Sequence, residues 1–164
     1  MGANGQSESR SGVARVGNVI FGADELARAF LIRHIPMFRP EKDSRGLCVL
    51  SGQDVVAAVL FERWNGVHVE ASLAAEEGRT WATRRTLHSI FFYPFRTLGV
   101  EKITICVPQS NDKARKMNRQ LGFIEECRVS FAAHDGTDLV IMKMTRNECR
   151  WLGHGQGKQR TRTP

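Results

Sequence analysis

Cysteine is scarce in this chain and poorly spaced for metal. Cys48, Cys106, Cys127 and Cys149 form no Cys-x-x-Cys pair, and no His-x-x-x-His pair accompanies them. A metal site is therefore not expected. The thiols read instead as reduced cysteines of a cytoplasmic protein. No apolar run approaches the ~20 residues a helix needs to cross a bilayer, so no membrane association is expected. The opening Met1-Gly2-Ala3-Asn4-Gly5-Gln6 lacks the apolar core of a secretory signal. Gln6 also stands where N-myristoylation requires Ser or Thr. Tyrosine occurs once, as Tyr93, and no segment repeats. Basic residues are not interleaved with aromatics along a groove, so nucleic acid is not an expected partner despite the net charge of +7. Part of that charge, Lys158, Arg160 and Arg162, sits in an acid-free tail.

What is present suits one soluble domain. The chain has 164 residues, 41% hydrophobic and 25% charged, enough to bury a real core. Residues 1–17, rich in Gly and Ser, are expected to be a disordered leader, residues 18–152 the folded domain, and residues 153–164 a disordered basic tail.

The pattern along the domain predicts a short strand at 19–21. Asp24 is then expected to cap a helix with Leu26, Ala27, Phe30, Leu31 and Ile35 on its apolar face, ending before Pro36. Strands follow at 46–50 and 55–64, the second apolar enough to be central, joined by Ser51-Gly52-Gln53-Asp54. Asn65-Gly66 is a strong hairpin signal leading into 67–74. There Val67, Val69, Ala71 and Leu73 alternate with His68, Glu70, Ser72 and Ala74. A helix is expected over 80–98, disturbed by Pro94 and closed by Gly99. A strand at 102–107, a helix, and strands at 123–132 and 138–145 around Asp135-Gly136 complete the order, with a short helical turn within 146–152. One strand–helix–strand step implies a parallel pair with a right-handed crossover, and the rest is antiparallel. The expected class is α/β: a mixed, mostly antiparallel sheet with helices on both faces.

The most informative stretch is Asn111-Asp112-Lys113-Ala114-Arg115-Lys116-Met117-Asn118-Arg119-Gln120-Leu121-Gly122-Phe123. Asn111 is a good N-cap, Ala114, Met117 and Leu121 share a helical face, and Gly122 supplies a left-handed stop. This strand, Asn-capped helix and Gly-Phe exit resemble the coenzyme-A-binding half of the GNAT acetyltransferase superfamily. Together with two further stretches, this segment resembles the superfamily's ribosomal-protein N-terminal acetyltransferase branch, the RimJ/RimL-like group. They are Trp81-Ala82-Thr83 before the middle helix, and the ending Asp138-Leu139-Val140-Ile141-Met142-Lys143-Met144 with Arg146-Asn147-Glu148. The compact chain is also similar to acetyltransferase-like proteins of bacteriophages.

The resemblance implies acetyl-CoA as co-substrate and an N-acetyltransferase acting on a primary amine, a protein amino terminus or a small amine. Its pyrophosphate would lie on amides at a helix start, here Arg79, Thr80, Trp81, Ala82 and Thr83. Against the family's Arg/Gln-x-x-Gly-x-Gly/Ala, the chain reads Glu77-Gly78-Arg79-Thr80-Trp81-Ala82, so Glu77 and Thr80 depart from the pattern. Arg79, Arg84 and Arg85 either offset Glu77 or form a solvated helix face. Backbone groups near Leu73 and Ala74 would hold the pantetheine arm, on a strand that splays from the one ending at Val107. Asn111 and Met117 would line the other side.

Direct attack by an amine needs a proton acceptor. Glu70 is the first candidate and His68 the second, and the same face reads equally as the wet side of a half-buried strand. Asn118 stands where many members carry a tyrosine acid, leaving Ser110 or water for that task. Acceptor binding is assigned to residues 30–43 and 131–138. Phe38 and Trp64 either shape that pocket or belong to the core. Glu41, Asp43 and Asp135 are acids able to attract an amine. The departures at Glu77, Thr80 and Asn118 also fit a GNAT-fold protein that has lost chemistry and binds a macromolecular partner, a host or phage protein. Monomer and homodimer both remain open.

Overall fold

The central strand explains the layering. In the computed structural model, which describes residues 12–153, β4 (Asp54–Glu62) is buried along almost its whole length. Ala57, Val59 and Phe61 face one apolar cluster, whereas Ala58 and Leu60 face another. Two-sided burial is what a near-continuous apolar strand demands. The smaller cluster lies under α1 (Asp24–His34), whose Ala27, Phe30 and Leu31 meet Cys48, Ala58, Leu60 and Ala74. The larger one takes Leu87, Ile90 and Phe91 of α2 (Arg84–Phe92) and Leu121 of α3 (Asp112–Leu121).

The remaining strands are β1 (Ala14–Val16), β2 (Val19–Phe21), β3 (Arg45–Ser51), β5 (His68–Ala75), β6 (Lys102–Pro108), β7 (Ile124–Val129) and β8 (Leu139–Thr145). They form one sheet in the order β1-β2-β3-β4-β5-β6-β8-β7. Among the described strands only β5 and β6 run parallel, through the crossover that contains α2. The expected mixed α/β architecture is the one observed.

Several expectations need correction. Residues 14–16, placed in the leader, form β1: Gly17 at φ 62° turns the chain so that Val16 pairs with Val19. Residues 1–11 of the expected leader, and the basic tail beyond Gly153, lie outside the described residues. Asp24 is not the cap of α1. Ala23 holds that position, and the Asp24 carboxylate accepts a bond from the Gly46 N–H at 2.7 Å. The middle helix starts at Arg84 rather than 80, because the Thr83 hydroxyl caps it by accepting from the Thr86 N–H at 3.2 Å. At its far end Pro94 has no N–H to give, and the chain widens into a π turn at Tyr93–Thr97, with the Leu98 N–H on the Tyr93 carbonyl at 2.9 Å. A 3-10 turn, Arg150–Leu152, closes the domain.

Gly46 sets how closely α1 approaches the sheet. A Cβ there would stand 2.7 Å from Ala27 Cβ, 3.0 Å from Asp24 Cα and 3.1 Å from Leu60 Cδ2. Gly46→Ala is expected to destabilise the fold by about 1–3 kcal/mol, since overpacking forces α1 outward. Urea unfolding measures this, and an unchanged midpoint would show that α1 is free to shift.

Candidate active site

Strands β5 and β6 pair only at His68–Lys102, Val69–Ile103 and Glu70–Thr104. Beyond that point each follows its other neighbour. β5 stays on β4 as far as Ala75 opposite Ala57, and β6 stays on β8 as far as Pro108 opposite Leu139. The sheet therefore splits, as the family resemblance implies. A cleft of about 720 Å³ fills the split. Its walls come from residues 35–39 after α1, from Glu70, Ser72 and Leu73 on β5, from residues 105–108 on β6, from α3, and from residues 132–135 of the β7–β8 loop.

The α3 wall is built as its sequence implies. The Asn111 side chain accepts from the Ala114 N–H at 3.0 Å, and Gly122 ends the helix at φ 109°. Asn111, Ala114, Met117 and Asn118 all line the cleft. Asn118 is 2% exposed, and its Oδ1 has no hydrogen-bond partner among the described residues. An orphaned buried amide in a cleft wall suits a ligand that brings its own donor.

Residues 76–83 join β5 to α2. Arg79, Thr80, Ala82 and Thr83 are exposed there, but Trp81 is buried in the larger core. The five expected phosphate ligands thus precede the helix rather than form its first turn. The Arg84 and Arg85 amides begin the helix itself. Glu77, the residue least suited to an anion, is bonded by Lys113 Nζ of α3 at 2.5 Å, which holds its carboxyl below the usual range. Lys113 thus ties this loop to the helix that lines the cleft.

The opposite end of the cleft is charged. Arg63 donates from Nε and Nη2 to the two oxygens of Glu70 at 2.9 and 2.6 Å, and from Nη1 to Glu41 at 2.8 Å. The Arg63 backbone lies in the left-handed region at φ 52°, a strained choice for a side-chain-bearing residue. Glu62, next to it, is 4% exposed and lines the same cleft. The Glu41 N–H donates to Glu62 Oε1 at 2.7 Å, yet burial outweighs that bond and pushes the carboxyl above its ordinary value of 4.5.

The structure brings Glu70, Leu73, Asn111 and Met117 together in the cleft. Ala74 instead faces the cluster under α1. His68 lies outside the cleft lining, at the closed end of the split, with Nε2 on the Thr104 hydroxyl at 2.7 Å. Burial, and then Lys102, lower its pKa and favour the neutral imidazole. Tyr93 packs on Phe21 and Phe61, Trp64 is exposed away from the cleft, and Phe38 lines it. Ser110 is on the cleft wall and donates to Asp135. Sequence reading missed Glu62, Arg63 and Cys106. Burial raises the Cys106 thiol to about 11, so it stays protonated and is a poor nucleophile at neutral pH. Among the described residues no cluster of His, Cys, Asp and Glu suits a metal, and no helix is long and apolar enough to cross a membrane.

The sequence matches no protein-family model and no curated protein. The structure does match solved ones. The Campylobacter jejuni N-acetyltransferase PseH in complex with acetyl coenzyme A superimposes with a TM-score of 0.52 at 18% identity, over 65% of this chain and 70% of that one. A point mutant of the spermidine N-acetyltransferase SpeG from Vibrio cholerae gives 0.59 at 22%, over 81% and 79%. A candidate acetyltransferase from T. thermophilus gives 0.61 at 15%, over 90% and 93%. At these identities the likeness establishes the fold, which is that of the GNAT acetyltransferases.

Glu62 makes stability depend on pH in a calculable direction. Its folded pKa lies above its unfolded one, so between the two values the folded state holds more protons and wild-type stability falls as pH rises. Glu62→Gln removes that group and keeps an oxygen for the Glu41 N–H. The variant is therefore expected to gain thermal stability relative to wild type as pH rises above about 4.5. Paired melting curves from pH 4 to 8 test this, and a difference independent of pH would contradict it.

Proposed function

We propose that this protein is an acetyl-CoA-dependent N-acetyltransferase that moves an acetyl group onto a primary amine by direct attack in a ternary complex. The observation that carries the reading is the split between β5 and β6, with a cleft large enough for an extended ligand and two strand edges facing each other across it. Those edges leave backbone donors and acceptors that must find water or a ligand. The pantetheine arm, itself a chain of amides, would take them near Leu73 and Ala74, with Asn111 and Met117 on the opposite wall. Arg79, Thr80, Ala82 and Thr83, backed by Trp81 from the core, would receive the pyrophosphate with the first amides of α2. When bound, the thioester supplies an activated acetyl carbonyl.

The acceptor would enter from residues 35–39 and 132–135. PseH, crystallised with acetyl coenzyme A, and SpeG, a spermidine N-acetyltransferase, support a primary amine as its class. The resemblance of three sequence motifs to the ribosomal-protein branch adds a protein amino terminus to the acceptors worth screening. One observation favours a second reading, a GNAT-fold module that binds a macromolecular partner without chemistry: Asn118 replaces the phenol at the acid position, and no tyrosine among the described residues lines the cleft. The pairing of Lys113 with Glu77 supports the enzyme, since it offsets the one misplaced carboxylate of the phosphate loop.

Isothermal titration with acetyl-CoA at low salt decides between the two. Micromolar binding is expected, with stabilisation of about 2.7 kcal/mol at one hundred times the dissociation constant. Reversing the exposed pair Arg84→Glu and Arg85→Glu should weaken binding about tenfold, roughly 1.4 kcal/mol. Ala114→Trp, which fills the cleft, should abolish it. Absence of both heat and thermal shift in the wild type would overturn the enzyme reading.

A further inference from the structure

We propose that Glu62 is the residue that takes the proton from the acceptor ammonium, an assignment that rests on the acetyltransferase reading above. Four carboxylates lie around the acceptor end of the cleft, Glu41, Glu62, Glu70 and Asp135, and Asp135 is already held by the Ser110 hydroxyl and by the N–H and hydroxyl of Thr137. Arg63 engages both oxygens of Glu70 and one of Glu41. Both Glu70 oxygens are thus already occupied as acceptors of Arg63 N–H groups. Glu62 makes no bond to Arg63. Its Oε1 takes the Glu41 N–H, while Oε2 has no protein partner among the described residues and is not among the sealed-off buried atoms. In a residue that lines the cleft, Oε2 is the oxygen left for a ligand.

Register fixes its position. Glu62 lies directly opposite Glu70 across β4 and β5, so the two side chains share the face that carries α1. The chain leaving α1 forms the cleft wall there, and Glu41, further along the same loop, supplies the N–H that orients the Glu62 carboxyl. A cation fits this place. Arg63 and Arg39 contribute two positive charges, whereas Glu41, Glu62, Glu70 and Asp135 contribute four negative ones. Arg39 from the α1 side, Cys106 from β6, and His134 and Asp135 from the β7–β8 loop complete the titratable and charged groups facing it. Burial supports the role, because a carboxyl with a raised pKa is a stronger base when ionised.

The step balances. Glu62 Oε2 takes one proton from the acceptor ammonium, leaving a neutral amine. The amine nitrogen bonds to the acetyl carbon as the carbon–sulfur bond breaks. The second nitrogen proton goes to the departing thiolate, and Glu62 returns its proton to solvent. The products are an N-acetyl amine and the free thiol of coenzyme A.

The test combines rates with a direct titration on the full chain. Thiol release is followed with acetyl-CoA and two acceptor probes, spermidine and a peptide with a free amino terminus. Glu62→Gln is expected to lower kcat at least ~100-fold. Its acetyl-CoA affinity should stay within about twofold, and the acidic limb of the pH–rate profile should vanish. In parallel, the Glu62 carboxyl carbon, assigned by through-bond NMR in wild type, should titrate above its ordinary value of 4.5. Added spermidine should lower that midpoint. A Glu62→Gln variant with wild-type kcat overturns the assignment. So does a Glu62 carboxyl that titrates normally or ignores spermidine, which settles the matter even if neither probe is acetylated. A wild-type protein that binds no acetyl-CoA defeats the parent reading and this assignment together, whereas failure of the Glu62 arms alone leaves acetyl-CoA binding intact.

Discussion

Everything at the candidate site follows from one failure of pairing. β5 and β6 share three residue pairs and then part, because each is committed elsewhere: β5 to β4 through Ala75, β6 to β8 through Pro108. The sheet behaves as two antiparallel halves joined by a short parallel seam. Right-handed twist accumulates across strands, and a seam of three pairs does little to resist it. The inner edges beyond Glu70 and Thr104 then face open space. In most folds such edges are a liability that is covered or charged. Here they are sheltered by α3 on one side and by the chain after α1 on the other, which leaves a cleft rather than an open edge.

The two ends of that cleft differ in charge, and the difference is arranged by single residues. Near the start of α2 Lys113 offsets Glu77 and Arg79 pairs with Asp54, leaving Arg84 and Arg85 exposed beside the first helix amides. At the other end Arg63 is outnumbered by the carboxylates it organises. A molecule with an anionic end and an electrophilic end would align along such a gradient, and an ammonium group would be drawn to the opposite mouth. The electrostatics therefore agree with the order of ligands that the acetyltransferase reading requires.

Local signals were legible in the sequence and distant ones were not. Asn111 and Gly122 could be read because capping and a left-handed stop concern residues a few positions apart, and both behave as expected. The Gly52 and Gly66 turns were legible for the same reason. Asp24 misled, since its carboxylate prefers a backbone N–H 22 positions away in β3 to the start of its own helix. Trp81 misled because a loop read for its amides also anchors a large side chain in the core. Glu62 was read as the end of an apolar strand. Only folding brings it beside Glu41, 21 positions earlier, and opposite Glu70. Glu70 lines the cleft, but its partner Arg63 sits across a hairpin that no periodicity reports.

The cleft also gathers several features that cost stability. Glu62 is a carboxylate almost removed from water, Asn118 a buried amide whose oxygen lacks a partner, and Arg63 a side-chain-bearing residue in left-handed backbone. An unpartnered buried polar group costs about 1–3 kcal/mol, and left-handed backbone roughly 1–2 kcal/mol more. Of the two buried side-chain polar atoms without partners among the described residues, Asn118 Oδ1 is the one in the cleft wall. A binding module with a passive cleft would gain stability by filling or neutralising these positions with apolar side chains. A site that must accept a proton and receive a ligand's N–H has a reason to keep them. The same residues that weaken the fold are thus the ones that argue for chemistry, and they do so independently of the missing tyrosine.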